Sequence, residues 1–329
     1  MILSSSWQSP LHTDPLPGLL EWKDPALQRQ TGFDLLGEGG EEYQDLWALP
    51  EVEKLIKKQG EDGSWKYSGK TIDPQTGTNY FLLETYRSLR VLVETYRLDR
   101  RHPAIERAAE YVYSCQTAEG DIRGIIGNQY MPYYHGAILE LLIKAGYAEE
   151  SRTITGLDWL LSMRQEDGGW VVPTQQVPSA ERTTEFWLGE PVQPDSGQPH
   201  AHLATGMVLR AFAAHPRYRR EHEVQKAGKA LAGRFFKPDK YNDRKAKAYW
   251  FKFQFPFWWS NLLTALDSLS LINFDRSDED IQAALAWFSE NQEPDGLWPT
   301  GYGVGRKAES NRRWVGLAVC RMLKRWYPG

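Results

Sequence analysis

His200 and His202 stand one residue apart in Pro199-His-Ala-His202-Leu-Ala-Thr-Gly206, and His135 follows two rings in Tyr133-Tyr134-His135. Three imidazoles at one mouth would suit zinc or another borderline metal and leave a position for water or substrate. The plainer alternative is two capping histidines and one core histidine bonded to backbone. Asp195 lies shortly before the pair and adds a carboxylate for acid or base work.

Large rings converge on the same stretches: Tyr80, Tyr133, Tyr134, Phe257, Trp258, Trp259 and Trp314. Around a central cavity they would form an apolar, electron-rich wall for hydrocarbon chains or cationic intermediates; core packing is the alternative for about half of them. Adjacent helical residues point about 100° apart, so Trp258 and Trp259 are not expected to bury in one seam. Lys237, Lys240, Arg244, Lys245 and Lys247 precede one helical stretch, and Arg306, Lys307, Arg312 and Arg313 precede another. Arg312 and Arg313 are expected to open that last helix, where one guanidinium could take a diphosphate. Within apolar stretches, Glu84, Arg87, Glu140, Arg210 and Asp267 need partners if buried.

The elements that must hold these groups are helices. Gln59-Gly-Glu-Asp-Gly-Ser-Trp65, Gln165-Glu-Asp-Gly-Gly-Trp170 and Gln292-Glu-Pro-Asp-Gly-Leu-Trp298 are near-copies, with a weaker one at Gln116-Thr-Ala-Glu-Gly120-Asp-Ile122. Their spacing is close to one or two periods of roughly 55 residues, which places a degenerate copy near Phe236 to Tyr241. Apolar residues at helical spacing precede each string, as in Leu157, Leu160 and Leu161. The Gly is expected to stop the helix, the Gln amide to satisfy that helix's loose carbonyls and the Trp to lock the turn.

More apolar helices follow the strings: Thr78 to Leu98, Met131 to Gly146, His200 to Ala214, Pro256 to Ile272 and Asn311 to Trp326, with a sixth at Pro25 to Leu36 ended by Gly37. Polar-faced helices alternate with them, as in Glu221 to Arg234 and Asp278 to Asn291. The acidic opening of the last one, Asp278-Glu-Asp280, reads as compensation of the helix dipole. Such alternation predicts an all-α fold of five to six helix pairs in two concentric layers. The expected single domain spans 1–329, with an extended arm over 1–24 and repeats near 25–65, 66–122, 123–170, 171–241, 242–298 and 299–329.

Gly156-x-x-Trp159-Leu160-x4-Gln165-x-x-Gly168-x-Trp170 and Ala284-x-x-Trp287-Phe288-x3-Gln292-x3-Gly296-x-Trp298 resemble the QW motif of the terpenoid cyclase and protein prenyltransferase superfamily, squalene cyclases included. The resemblance implies an α/α toroid with a central substrate cavity and catalytic groups near the N-terminal ends of the inner helices. Squalene-type cyclases carry an Asp-x-Asp-Asp acid there; this chain has His200-Ala-His202 after the long 171–199 loop. Imidazolium, with a reference pKa of about 6.5, is a far weaker proton donor to an alkene. The prenyltransferases hold zinc with Asp-x-Cys and a later His, whereas His135 precedes the pair in this chain.

Charge and composition narrow the partners. A net charge of -4 and a pI near 6.0 give no reason to expect nucleic acid. Two cysteines make no metal spacing or disulfide framework, and no run of 18 apolar residues occurs. The expectation is a soluble, cytoplasmic protein, touching a membrane surface at most, that takes a small apolar or isoprenoid molecule. Three readings stay open: an isoprenoid-handling enzyme, with zinc as the cofactor to test for; a carbohydrate-active lyase or glycosidase using Tyr134 and His135 near Asn128 together with acids such as Asp121, Glu185, Glu190 or Asp195; and a non-catalytic toroid that binds a lipid or a partner.

Overall fold

The computed structural model describes residues 6–40, 43–69, 75–241 and 245–328. The described residues are all-α, with isolated bridges in place of strands. In chain order the α-helices are α1 Leu16–Leu20, α2 Pro25–Thr31, α3 Gln44–Trp47, α4 Pro50–Ile56, α5 Tyr80–Tyr96, α6 Pro103–Ser114, α7 Pro132–Leu142, α8 Ser151–Ser162, α9 Thr184–Leu188, α10 His202–Ala214, α11 His222–Ala232, α12 Leu262–Leu271, α13 Glu279–Glu290 and α14 Arg306–Trp326. Arg244, grouped above with the basic loop, lies outside the described residues.

Burial separates two kinds of helix. In α7 every residue is buried, and in α10 all but Ala214 are; a helix apolar all round must lie inside. By contrast α11 buries Val224, Ala227, Gly228, Leu231 and Ala232, a single stripe. The inner helices close a circle: α2 packs on α5, α5 on α7, α7 on α10, α10 on α12, α12 on α14, and α14 back on α2. Outside them α4 and α6 lie on α5, α8 on α7, α11 on α10 and α13 on α12. The α7–α10 seam is the tightest, because a Cβ at Gly136 would come within 2.8 Å of the Val208 Cα.

The Gln-to-Trp turns join neighbouring repeats. Gln59 Nε2 donates to Gly63 O at 2.9 Å and to Ala104 O, in the first turn of α6, at 2.8 Å. Gln116 repeats this with Gly120 O and with Arg152 O of α8. At these two turns the amide reaches forward to the next outer helix, while Gln165 instead faces Asp195 O and Ser196 O of the long loop. The expectation that the amide serves its own helix end is corrected. That task falls to the indoles: Trp65, Trp170 and Trp298 donate Nε1–H to Leu55 O, Leu160 O and Phe288 O, ten residues back in each case. Each such bond contributes about 1 kcal/mol net. In the degenerate copy Phe236 has a φ of 62°, and Trp250 supplies the indole, bonding Lys237 O at 2.8 Å.

Glycine is required in these turns for two reasons. Gly63 has a φ of 87°, and a Cβ there would lie 2.1 Å from Arg107 O of the next outer helix. Gly296 repeats the arrangement at the last turn, where the nearest atom, Asp14 O, belongs to the N-terminal segment. Gln292 Nε2 donates to Thr13 O there, and Ser289 Oγ to Pro10 O. The N-terminal segment thus takes the place of a next outer helix and fastens the ring's ends, and its Leu16–Leu20 part is helical instead of extended.

Two helix starts differ from expectation. Asn261 and Thr264 form a capping box, so α12 begins at Leu262, and Trp258 and Trp259 lie in the preceding loop. The helical-angle argument about those two indoles does not apply. α14 begins at Arg306 after Gly305, whose φ is 89°, so Arg312 and Arg313 sit inside the helix. Asp278 caps α13 through the Asp280 N–H.

Candidate functional site at the centre of the ring

His135, on α7, has both ring nitrogens engaged: Nδ1 accepts from the Ile122 N–H at 2.9 Å, and Nε2 lies 3.0 Å from Gly156 O. Burial pulls its pKa down to about 4, so the ring is neutral at pH 7. Asp167 Oδ2, in the third Gln-to-Trp turn, accepts from both the backbone N–H and the Nδ1 of His200 at 2.9 Å. Burial pushes the Asp167 carboxyl up, but the His200 bonds outweigh it and hold it at about 2. His202 stacks on Trp250 with ring centres 4.3 Å apart. Asp239 accepts from the backbone N–H groups of His202 and Leu203 and so caps α10. Burial, partly offset by Asp239, brings the His202 pKa to about 4.

The three imidazoles therefore face different partners. Among the described residues no group of three or more His, Cys, Asp or Glu side chains is gathered as a metal would need, and His135, bonded to backbone through both nitrogens, matches the plainer of the two alternatives. Asp195 is exposed, and its Oδ1 accepts from Gly197 N–H within its own loop.

Aromatic residues do meet near the N-terminal ends of the inner helices. Tyr133 and Tyr134, in the first turn of α7, have ring centres 4.4 Å apart. Trp259 stacks on Tyr133 at 6.2 Å with an interplanar angle of 17°. Trp258 lies 5.1 Å from the Tyr86 ring and 6.4 Å from that of Tyr134. Both indoles are half-buried, whereas Tyr86, Tyr134 and Phe257 are buried. Protein cations already lie on these π faces: Arg90 sits 4.2 Å from the Trp258 ring centre, Arg87 5.7 Å from it, and Arg210 5.6 Å from that of Phe257.

Beneath the rings runs a polar chain, buried at Arg210, Glu140, Glu94 and Gln30 and reaching solvent at Lys144. Arg210 pairs with Glu140 at 2.5 Å, and Lys144 bridges Glu140 at 2.7 Å and Glu94 at 2.6 Å. Gln30 Nε2 donates to Thr95 O, and Arg97 and Arg321 both donate to Gln30 Oε1. Burial pushes the Glu94 carboxyl up, but Lys144 outweighs it and leaves the pKa below the ordinary range. Arg210 Nη1 donates to Trp258 O at 3.0 Å, and Arg90 Nη1 to Phe257 O at 3.3 Å. Tyr86, Arg90 and Arg210 are buried below the rings, while the Trp258 and Trp259 indoles keep part of their surface accessible.

Other expected site residues lie elsewhere. Tyr80 packs on Tyr67 at 4.6 Å. Arg312 pairs with Glu293 and Asp295 of the last turn and lines a cavity of about 430 Å³ there. Trp314 stacks on Phe255 at 5.0 Å and donates to Asp24 Oδ2. Asp121 pairs with Arg123, and Asn128 donates to Gly189 O. Tyr86, Asp167 and Asp239 carry no sequence motif of their own, and Arg90, within helical reach of Glu84, lies instead over Trp258 while Glu84 pairs with Arg87. Tyr86 and Arg90 are four residues apart on α5, a one-face spacing that was there to be read.

No family model and no curated protein matches the chain. Among solved structures it is similar to a protein from Actinoplanes, at 15% identity over 86% of this chain and 87% of that one, with a TM-score of 0.43. It is also similar to the type II terpene cyclase MstE from Scytonema in complex with geranylgeranyl dihydroxybenzoate, at 14% identity over 84% and 95% of the two chains, with a TM-score of 0.32. Apo MstE matches at 14% identity over 83% and 95%, with a TM-score of 0.30. At TM-scores below 0.5 these likenesses carry no weight for the chemistry. No helix among the described residues is long and apolar enough to cross a membrane.

Proposed function

We propose that this chain is an isoprenoid-handling α/α ring, which takes an apolar small molecule at the mouth formed by Tyr133, Tyr134, Trp258 and Trp259 and does not begin a cyclisation by protonating it. The observation that carries the reading is the cluster of four rings with two half-buried indoles at one end of the closed helix circle. Apolar chains gain by leaving water for such faces, at about 25 cal/mol per Å².

Two features argue against acid-initiated chemistry. The His135 and His202 rings are neutral at pH 7, and the Asp167 and Glu94 carboxyls are held below their ordinary range; none of these four is a proton donor for an alkene. The indole face that would stabilise a carbocation is already taken by Arg90 and Arg87. The carbohydrate reading loses His135, whose ring nitrogens are both committed to backbone. The test is native mass spectrometry of freshly purified protein, followed by exposure to geranylgeraniol and, separately, to a panel of oligosaccharides. Retention of the isoprenoid supports the proposal. Retention of an oligosaccharide alone contradicts it.

A further inference from the structure

Four buried donors around Trp258 have no hydrogen-bond acceptor among the described residues: Tyr86 Oη, Arg90 Nε, Trp258 Nε1 and Arg210 Nε. Tyr86 is 0% exposed, Arg210 3% and Arg90 8%, so bulk water does not relieve them. A buried donor without an acceptor is costly, and several on touching residues need a common explanation. The rings of Tyr86 and Trp258 are 5.1 Å apart, and the Arg90 guanidinium lies over the same indole.

The charges point the same way. Arg90, Arg210 and Lys144 face Glu94 and Glu140; the Glu140 oxygen nearest Arg210 is taken by their ion pair, and both carboxylates are bridged by Lys144. Arg87 is matched by Glu84, and Asp267 by Arg325. Among the described residues Arg90 alone of these cations is in no ion pair, which leaves a buried guanidinium without a carboxylate of its own, and that is expensive. Burial drags the Arg90 guanidinium down to about 10, and neighbouring Arg210 pushes the same way.

We infer that the molecule taken up at the aromatic mouth carries one carboxylate, which accepts hydrogen bonds from Arg90, Tyr86 and the Trp258 indole while its hydrocarbon chain lies along Tyr133, Tyr134 and Trp259. One negative charge matches the single unpaired guanidinium of Arg90, whereas a diphosphate brings two or more charges against it. Trp258 covers Arg90 from a loop and not from a helix, so its ring can turn aside without unwinding α12. The inference rests on the proposed isoprenoid binding and adds the head group to it.

The experiment is calorimetric titration of the full chain with geranylgeranoic acid, geranylgeraniol and geranylgeranyl diphosphate, which share one chain and differ in the head. Charged hydrogen bonds of this kind predict the acid about 10- to 100-fold tighter than the alcohol, with the diphosphate weaker than the acid. Tyr86→Phe, which keeps the ring packing, should cut affinity for the acid several-fold and leave the alcohol unchanged. Arg90→Lys, which keeps the charge and loses the Nε donor, should narrow the preference, and Arg90→Met should abolish it. Circular dichroism identifies any variant that has not folded, and the three-ligand comparison on the unaltered chain stands without variants. Equal affinity for acid and alcohol, a preference for the diphosphate, or a preference that survives Tyr86→Phe and Arg90→Lys unchanged would overturn the inference. No binding of any of the three would instead remove the proposed function beneath it.

Discussion

Arg210 of α10 and Glu140 of α7 meet at 2.5 Å in the middle of the ring, each 3% exposed by side chain. Burial alone would lower the Arg210 pKa, but Glu140 outweighs it and raises it, so the pair is held as an ion pair across the tightest helix seam. Lys144 then ties Glu140 to Glu94 of α5. Three inner helices share one electrostatic knot.

Breaking that knot on one side should cost more than removing it. Arg210→Met leaves Glu140 with only Lys144 and is expected to destabilise by about 3 to 5 kcal/mol. Arg210→Met combined with Glu140→Leu should recover a large part of that loss, because no half-paired charge remains. Urea unfolding of the two single variants and the double variant measures it. Additive losses would refute the coupling.

Acid sensitivity follows from the buried imidazoles. The unfolded chain protonates His135 near its ordinary 6.5, while the folded ring resists until about 4. Below pH 6.5 the unfolded state therefore binds more protons, and stability falls until pH 4 is passed; above 6.5 the term is absent. The expected loss over that window is on the order of 3 kcal/mol for this ring. Asp167 works in the usual carboxylate sense: its contribution is present above its ordinary 3.8 and disappears as pH falls through about 2. Denaturant midpoints at pH 7, 5.5 and 4.5 should fall in the wild type and fall less in His135→Gln.

Glycine substitutions separate strain from crowding. Gly296→Ala meets both a φ of 83° and the Asp14 carbonyl 2.7 Å from the new Cβ, whereas Gly305→Ala meets a φ of 89° and open space. Gly305→Ala is expected to cost about 1 kcal/mol, and Gly296→Ala clearly more, with loosening of the N-terminal clasp. Thermal melts, together with limited proteolysis between residues 6 and 20, measure both. Equal losses would mean that the contact with Asp14 contributes nothing.

Much of this architecture could be read from the chain because it rests on local pattern. The apolar stripe of α11 and the all-apolar face of α7 follow from side-chain period alone, and Gly37, with a φ of 72°, ends the sixth inner stretch as expected. Other features depend on what meets in space. The Gln59 and Gln116 amides point forward because the first turn of the next outer helix arrives beside them, and sequence spacing does not reveal that neighbour. Trp258 and Trp259 lie outside the helix because Asn261 and Thr264, three residues apart, form a capping box, a signal that is itself local. The partners of His200 and His202, Asp167 and Asp239, come from other turns, so a histidine pair that looked like chemistry anchors a loop and a helix start.

The central claim is that the aromatic mouth binds an isoprenoid chain. Calorimetric titration of geranylgeraniol into the wild type and into Trp259→Ala tests it most directly. Saturable binding of one molecule per chain is expected, weakened about tenfold by loss of the indole. Absence of binding, or equal affinity in the two proteins, would contradict it.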